Sequence, residues 1–143
     1  MKERSQEELN ALYSLYESGL NEMAEDPKIH KRKVKVKAVG RLEMLPENVR
    51  MAIKNVEEKT AGYSDFLFTV CLAYGGREEI VDAVRKVSQE YASGIIKLEE
   101  LDTNKISNNL YSSEIPDPDL VIRTSGEDRI SNFLLWQIAY SEL

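Results

Sequence analysis

The stretch DFLFTVCLAY, residues 65–74, is nearly all apolar and rich in aromatic and β-branched side chains. A continuous run of this kind suits a central strand buried on both faces, which is the habit of parallel sheets covered by helices. Gly75 and Gly76 follow it at once, and then the amphipathic stretch EEIVDAVRKV. Strand, tight turn and helix in that order constrain the chain more than any other feature, because they point to an α/β fold.

The rest of the chain repeats the alternation. SQEELNALYSLYESGLNEMAED is predicted to be a helix, with Ser5 and Glu8 in a capping-box pattern and Leu9, Leu12, Tyr16, Leu20 and Met23 on one face. KRKVKVKAVG alternates apolar and basic residues, as a strand near a sheet edge does. PENVRMAIKNVEEKTAG is a second helix, started by Pro46 and closed by Gly62. LEELDTNKISNNL is a shorter helix or a pair of turns, and DLVIR a last buried strand whose start is set by the prolines of IPDPD. The predicted class is α/β, with a mainly parallel central sheet flanked by helices. At 143 residues the chain fits a single domain.

Composition narrows the function. A formal net charge of −6 argues against nucleic acid as a partner. One cysteine excludes an intrachain disulfide. No apolar run reaches transmembrane length and no secretory signal is present, so the expected location is cytoplasmic, with membrane contact only at the periphery. His30 has no companion ligands for a metal, and Cys71 is expected in the core. The basic stretch KIHKRKVKVK could meet phosphates or lipid headgroups, or be a solvated strand face.

Ligands of parallel sheets gather at the carboxyl ends of strands. Two such ends stand out. In VIRTSGEDRISN, Arg123 ends the strand, Gly126 turns the chain, Arg129 returns a second guanidinium and Ser131 adds a hydroxyl. Ser131 and Asn132 are also placed to open a short helix. Two planar forks and a hydroxyl suit a phosphate or diphosphate. Glu142 could then act through Mg2+, which takes oxygen ligands and bridges phosphates. Equally, Arg123 and Arg129 could simply pair with Glu127, Asp128 and Asp119. In AYGGREE, Glu78 and Glu79 occupy a first helical turn, where they complement the dipole and repel an anion. That turn is expected to be structural, with Arg77 as an internal ion-pair partner.

The block DPDLVIRTSGEDRISNFLLWQIAYSEL resembles the signature of the cis-prenyltransferases, the undecaprenyl diphosphate synthase family. AYGGREEIVDAVRKV and ERSQEELNALYSLY resemble two further blocks, so the likeness runs over essentially the whole chain. It implies a soluble or peripheral homodimer that uses Mg2+. The reaction implied condenses isopentenyl diphosphate with an allylic prenyl diphosphate into a long, undecaprenyl-like polyprenyl diphosphate, a lipid carrier. By resemblance Arg123, Arg129 and Ser131 bind the isopentenyl diphosphate headgroup and Glu142 helps to place Mg2+. Arg4 lies near the allylic diphosphate, and Glu8 is an acidic position in the same block. Leu12 and Tyr16 line a hydrophobic tunnel for the growing chain, with FLFTVCLAY as part of the opposite wall.

Two departures stand beside the likeness. Family members open with a strand and an Asp-Gly-Asn-Arg-Arg-Trp-like motif whose aspartate holds Mg2+, and they continue beyond the last block; neither part occurs here. The expectation is a single partial domain, truncated at both ends, with no catalytic residue assignable and with apolar edges that favour aggregation. The alternative is a non-catalytic subunit that completes a partner's site. Ala73 replaces the asparagine common before YGGR in bacterial members, which gives the chain an archaeal or eukaryotic style. Asp128, beside Arg129, adds a negative charge to the anion site.

Overall fold

The computed structural model describes residues 5–124, 126–127 and 129–143. Arg4 and Asp128 lie outside the described residues. The chain divides into two compact units, Met1–Ala73 and Tyr74–Leu143.

The first unit opens with α1 (Gln6–Glu25). Its capping box is formed: Ser5 Oγ accepts the Glu8 N–H at 3.2 Å, and the Glu8 carboxylate accepts the Ser5 N–H at 3.0 Å. Asp26 ends α1 and caps α2 (Pro27–Lys31), its carboxylate accepting the Lys28 N–H at 2.8 Å. Then come β1 (Val34–Val39), α3 (Glu47–Thr60) and β2 (Phe66–Cys71). The strands pair in parallel, from Val34 opposite Phe66 to Val39 opposite Cys71. A parallel pair needs a crossover, and α3 supplies it. Helices α1 and α3 pack together over a core that includes Leu20, Val36, Val49, Ile53, Val56 and Leu72. Val49 and Val56 are fully buried, worth about 1.5–3 kcal/mol each in transfer free energy.

Helix α3 also covers the outer edge of β1. The Val36 N–H donates to Thr60 Oγ1 at 3.0 Å, and the Ala38 N–H to the Glu57 carboxylate at 2.9 Å. These amides face away from β2, so two side chains take the place of a third strand. That is the edge character predicted from the lysine alternation, with the protection coming from α3. In the same last turn of the helix, Lys59 donates to the Glu25 carboxylate and holds its pKa below the ordinary value. His30 is structural: its ring nitrogens bond Tyr63 Oη and the Ala24 carbonyl, each at 2.8 Å.

β2 corrects one expectation. Its first half is exposed, Phe66 by 62% and Phe68 by 48%, and only Val70 and Leu72 reach the core. Both faces of a strand are buried only when layers lie on each, and among the described residues this sheet has two strands.

The second unit begins with α4 (Gly76–Ala92) and α5 (Thr103–Ser107), and continues in turns from residue 108. Its core joins Ala83, Val87, Ile96, Ile106 and Leu110, with Ile80 and Trp136 against it. DLVIR is not a strand. It makes an isolated parallel bridge, Leu120 to Glu142, and Ile122 is 79% exposed. An apolar β-branched run becomes a strand only where another strand accepts its hydrogen bonds, and here only one bridge is available. Ser131 and Asn132 do not open a helix either. Their φ values are +52° and +65°, in the left-handed region that ends a right-handed helix. No described helix is long and apolar enough to cross a membrane.

Candidate functional site: an arginine-lined cavity in the second unit

The bridge at Leu120 delivers Arg123 to the start of a loop. The Val121 N–H donates to the Glu142 carbonyl at 2.8 Å, and the Glu142 N–H to the Asp119 carbonyl at 2.9 Å. These bonds tie the chain's last residues to the segment that carries Arg123. Gly126, at φ +65°, then turns the loop back, a conformation glycine adopts without penalty.

Across that turn the side chains converge. Arg123 Nη1 donates to Ser131 Oγ at 2.9 Å and also to the Arg129 carbonyl. Glu127 sits between the guanidiniums, 2.9 Å from Arg129 Nε and 4.0 Å from Arg123 Nη2. Both pairs are well exposed, so they contribute at most about 1 kcal/mol and yield readily to a stronger anion. A cavity of about 590 Å3 opens here, lined by Arg123, Glu127, Arg129 and Ser131 on its polar side. Its other walls are apolar, among them Val121, Ile122, Ile130 and Phe133. The volume lies within the range of small-molecule sites.

The predicted residues therefore separate. Arg123, Arg129 and Ser131 are brought together. Glu142 is fixed by its backbone beside them, though Leu143 lines the cavity and Glu142 does not. Arg4 lies outside the described residues. In the first unit, Tyr16 packs against the core, while Leu12 lines an open depression with Glu8, Ala11 and Leu15. Of the sequence alternatives for the arginines, the ion pairing is present at Glu127, and a cavity lies beside their donors.

Mg2+ needs few protein ligands, since it binds through one or two carboxylates plus waters and substrate phosphate oxygens. No described cluster of three or more His, Cys, Asp or Glu could hold an ion by itself. Glu142, whose backbone is tied to the segment that carries Arg123, is the carboxylate that would hold an ion of that limited kind.

The AYGGREE turn is structural, as expected, but for other reasons. Glu79 is fully buried. Its carboxylate accepts from the Tyr111 N–H at 2.9 Å, from Gln137 Nε2 at 3.0 Å, and from the Tyr74 hydroxyl. Arg77 makes no ion pair among the described residues; its backbone N–H donates to Asn132 Oδ1 at 2.9 Å. A signal for Glu79 was present in the sequence. It shares an i, i+4, i+8 stripe with Ala83 and Val87, both buried, so a carboxylate there had to find internal donors.

Comparison with known proteins decides the family. Residues 2–143 match the prenyltransferase family model described as undecaprenyl diphosphate synthase. The chain belongs to the undecaprenyl diphosphate synthase family. Within it, a tritrans,polycis-undecaprenyl-diphosphate synthase (geranylgeranyl-diphosphate specific) from Methanocaldococcus jannaschii is 47% identical over 142 residues. That match covers 98% of this chain and 51% of the relative. The protein of the same name from Thermococcus kodakarensis is 50% identical over 140 residues, covering 98% of this chain and 53% of its own length. Among solved structures, a lavandulyl diphosphate synthase from Lavandula x intermedia in complex with dimethylallyl diphosphate superposes with a TM-score of 0.88. It is 33% identical, and the match covers 97% of this chain and 60% of that one. This member of the undecaprenyl diphosphate synthase family spans about half the length of the curated relatives it matches.

Proposed function

We propose that the second unit supplies the isopentenyl diphosphate site of a cis-prenyltransferase that builds a long polyprenyl diphosphate. The observation that carries this is the convergence of Arg123, Arg129 and Ser131 on a cavity whose remaining walls are apolar. A diphosphate ester with a short hydrocarbon tail has the same two-sided chemistry. The guanidinium forks and the hydroxyl take the diphosphate oxygens, while Val121, Ile122, Ile130 and Phe133 take the five-carbon tail. Glu142 is the residue that would hold Mg2+ here, and the ion would supply charge neutralisation.

In the reaction, the double bond of isopentenyl diphosphate attacks the first carbon of an allylic prenyl diphosphate. The bond from that carbon to its diphosphate breaks, the diphosphate departs, and a proton lost from the isopentenyl unit leaves a new cis double bond. The chain's own contribution is to orient the acceptor and to hold its charged end still while its tail reacts. The names of the archaeal relatives support an allylic primer of geranylgeranyl length and an undecaprenyl-like product. The same reading assigns the protein to the cytoplasm, as a homodimer at the membrane periphery that hands on a lipid carrier.

The test is label transfer. With Mg2+, an allylic diphosphate and labelled isopentenyl diphosphate, the protein is expected to move label into a butanol-soluble product. Arg129→Ala should lower transfer by about a hundredfold. Transfer seen only after mixing with a second prenyltransferase chain would make this protein a non-catalytic subunit instead.

A further inference from the structure

Asn132 does more than follow Ser131. Its side-chain carbonyl accepts the Arg77 N–H at 2.9 Å, and its amide group donates to the Glu78 carboxylate at 2.9 Å. Its backbone carbonyl accepts the Gly76 N–H at 2.7 Å. One residue thus takes two of the amides that the first turn of α4 leaves without intrahelical partners, and grips a carboxylate of the same turn. The fit is close. A Cβ on Gly76 would lie 3.1 Å from the Asn132 carbonyl oxygen and 2.8 Å from Leu135 Cγ. Asn132 holds this position at φ +65°, where asparagine is among the few residues at ease.

The neighbour on its N-terminal side is Ser131, whose hydroxyl accepts from Arg123 Nη1. Hydrogen bonds from the first turn of α4 to Asn132, the peptide bond to Ser131 and the hydrogen bond from Arg123 to Ser131 therefore form one connected path. Nothing else described fixes Ser131, which is exposed and itself at φ +52°. Left to itself, a loop of this kind samples several conformations, and a diphosphate would have to order it on binding. Helix α4, with 17 residues and a buried face, is the rigid body nearest in the network.

We infer that Asn132 is a positioning residue for the anion site. It clasps the loop to α4 and so presents Ser131 and the Arg123 fork in a binding geometry before any ligand arrives. This rests on the diphosphate reading of the cavity and adds to it the element that aims the site. It also explains why the first turn of α4 is not itself an anion site, since Asn132 already occupies its donors.

Asn132→Gly tests the inference cleanly. Glycine keeps the left-handed backbone and the carbonyl that accepts from Gly76, and removes only the side-chain clasp. The double variant Asn132→Asp with Glu78→Gln rebuilds the clasp with donor and acceptor exchanged. Two readouts are needed on the full chain: calorimetric affinity for inorganic diphosphate with Mg2+, and the 15N resonance of Arg123 Nε without ligand. The expected result is diphosphate binding that weakens on the order of tenfold or more in Asn132→Gly, under a melt that stays cooperative. The Arg123 signal should shift in the same variant, and the double variant should recover most of both. Unchanged affinity in Asn132→Gly would overturn the inference and leave the diphosphate reading standing. If the parent chain itself bound no diphosphate, that reading would fall. The Arg123 resonance would then decide: a shift in Asn132→Gly supports the clasp, and no shift overturns it.

Discussion

Gly40 sits at φ +134°, where the end of β1 runs close to the end of β2. The Leu72 N–H donates to the Val39 carbonyl at 3.0 Å and the Arg41 N–H to the Ala73 carbonyl at 3.3 Å. Between these bonds a Cβ at Gly40 would fall inside the Leu72 carbonyl oxygen, which is backbone and has nowhere to go. Gly40→Ala should therefore lower stability by at least about 2 kcal/mol, read as a drop in the urea midpoint. Glu79 makes a second prediction. Removing it takes an acceptor from the Tyr74 hydroxyl, the Tyr111 N–H and the Gln137 amide and leaves a gap at a fully buried position. Glu79→Ala should cost about 3 kcal/mol or more by the same measurement, and Glu79→Gln less, because one amide oxygen still accepts. At this scale the sequence was partly legible. Arg123, Arg129 and Ser131 announce themselves by type and spacing. The Arg77 partner of Asn132 and the Gln137 partner of Glu79 do not, because they lie 55 and 58 residues away along the chain.

Elements were legible where their signal is local. The capping box of α1, the apolar stripes of α3 and α4 and the alternation of β1 each carry their period within a few residues, and each formed as predicted. Strands that depend on distant partners were not. DLVIR has the composition of a strand but meets only Glu142, and β2 has the composition of a buried strand but is half covered. The edge of β1 shows what a missing strand requires in its place. Thr60, fully buried, accepts from the Val36 N–H and donates to the Val56 carbonyl at 2.8 Å. Thr60→Val keeps the shape and strands the Val36 N–H, which should cost about 1–3 kcal/mol. Circular dichroism melts should show the loss without a change in helix content at low temperature. β2 carries the opposite liability. With Phe66, Leu67 and Phe68 exposed, it is the segment expected to drive self-association. Leu67→Lys should reduce light scattering on storage while leaving the urea midpoint nearly unchanged.

For the whole molecule, family membership and cavity chemistry meet in one claim. A net charge of −6 would repel a diphosphate in general, so the proposed affinity would have to come from a local concentration of donors, which Arg123, Arg129 and Ser131 would supply. The α/β class was readable from strand-then-glycine patterns, and the paired arginines that motivate the proposed anion site line one cavity. The division into two units was not, although the net charge differs between them, 0 over Met1–Ala73 and −6 over Tyr74–Leu143. The most direct test is calorimetric titration of the chain with a non-reactive isopentenyl diphosphate analogue in the presence of Mg2+, beside Arg129→Ala. The account predicts saturable binding at one site per chain, weakened at least tenfold in the variant. No binding by a chain that melts cooperatively would contradict it.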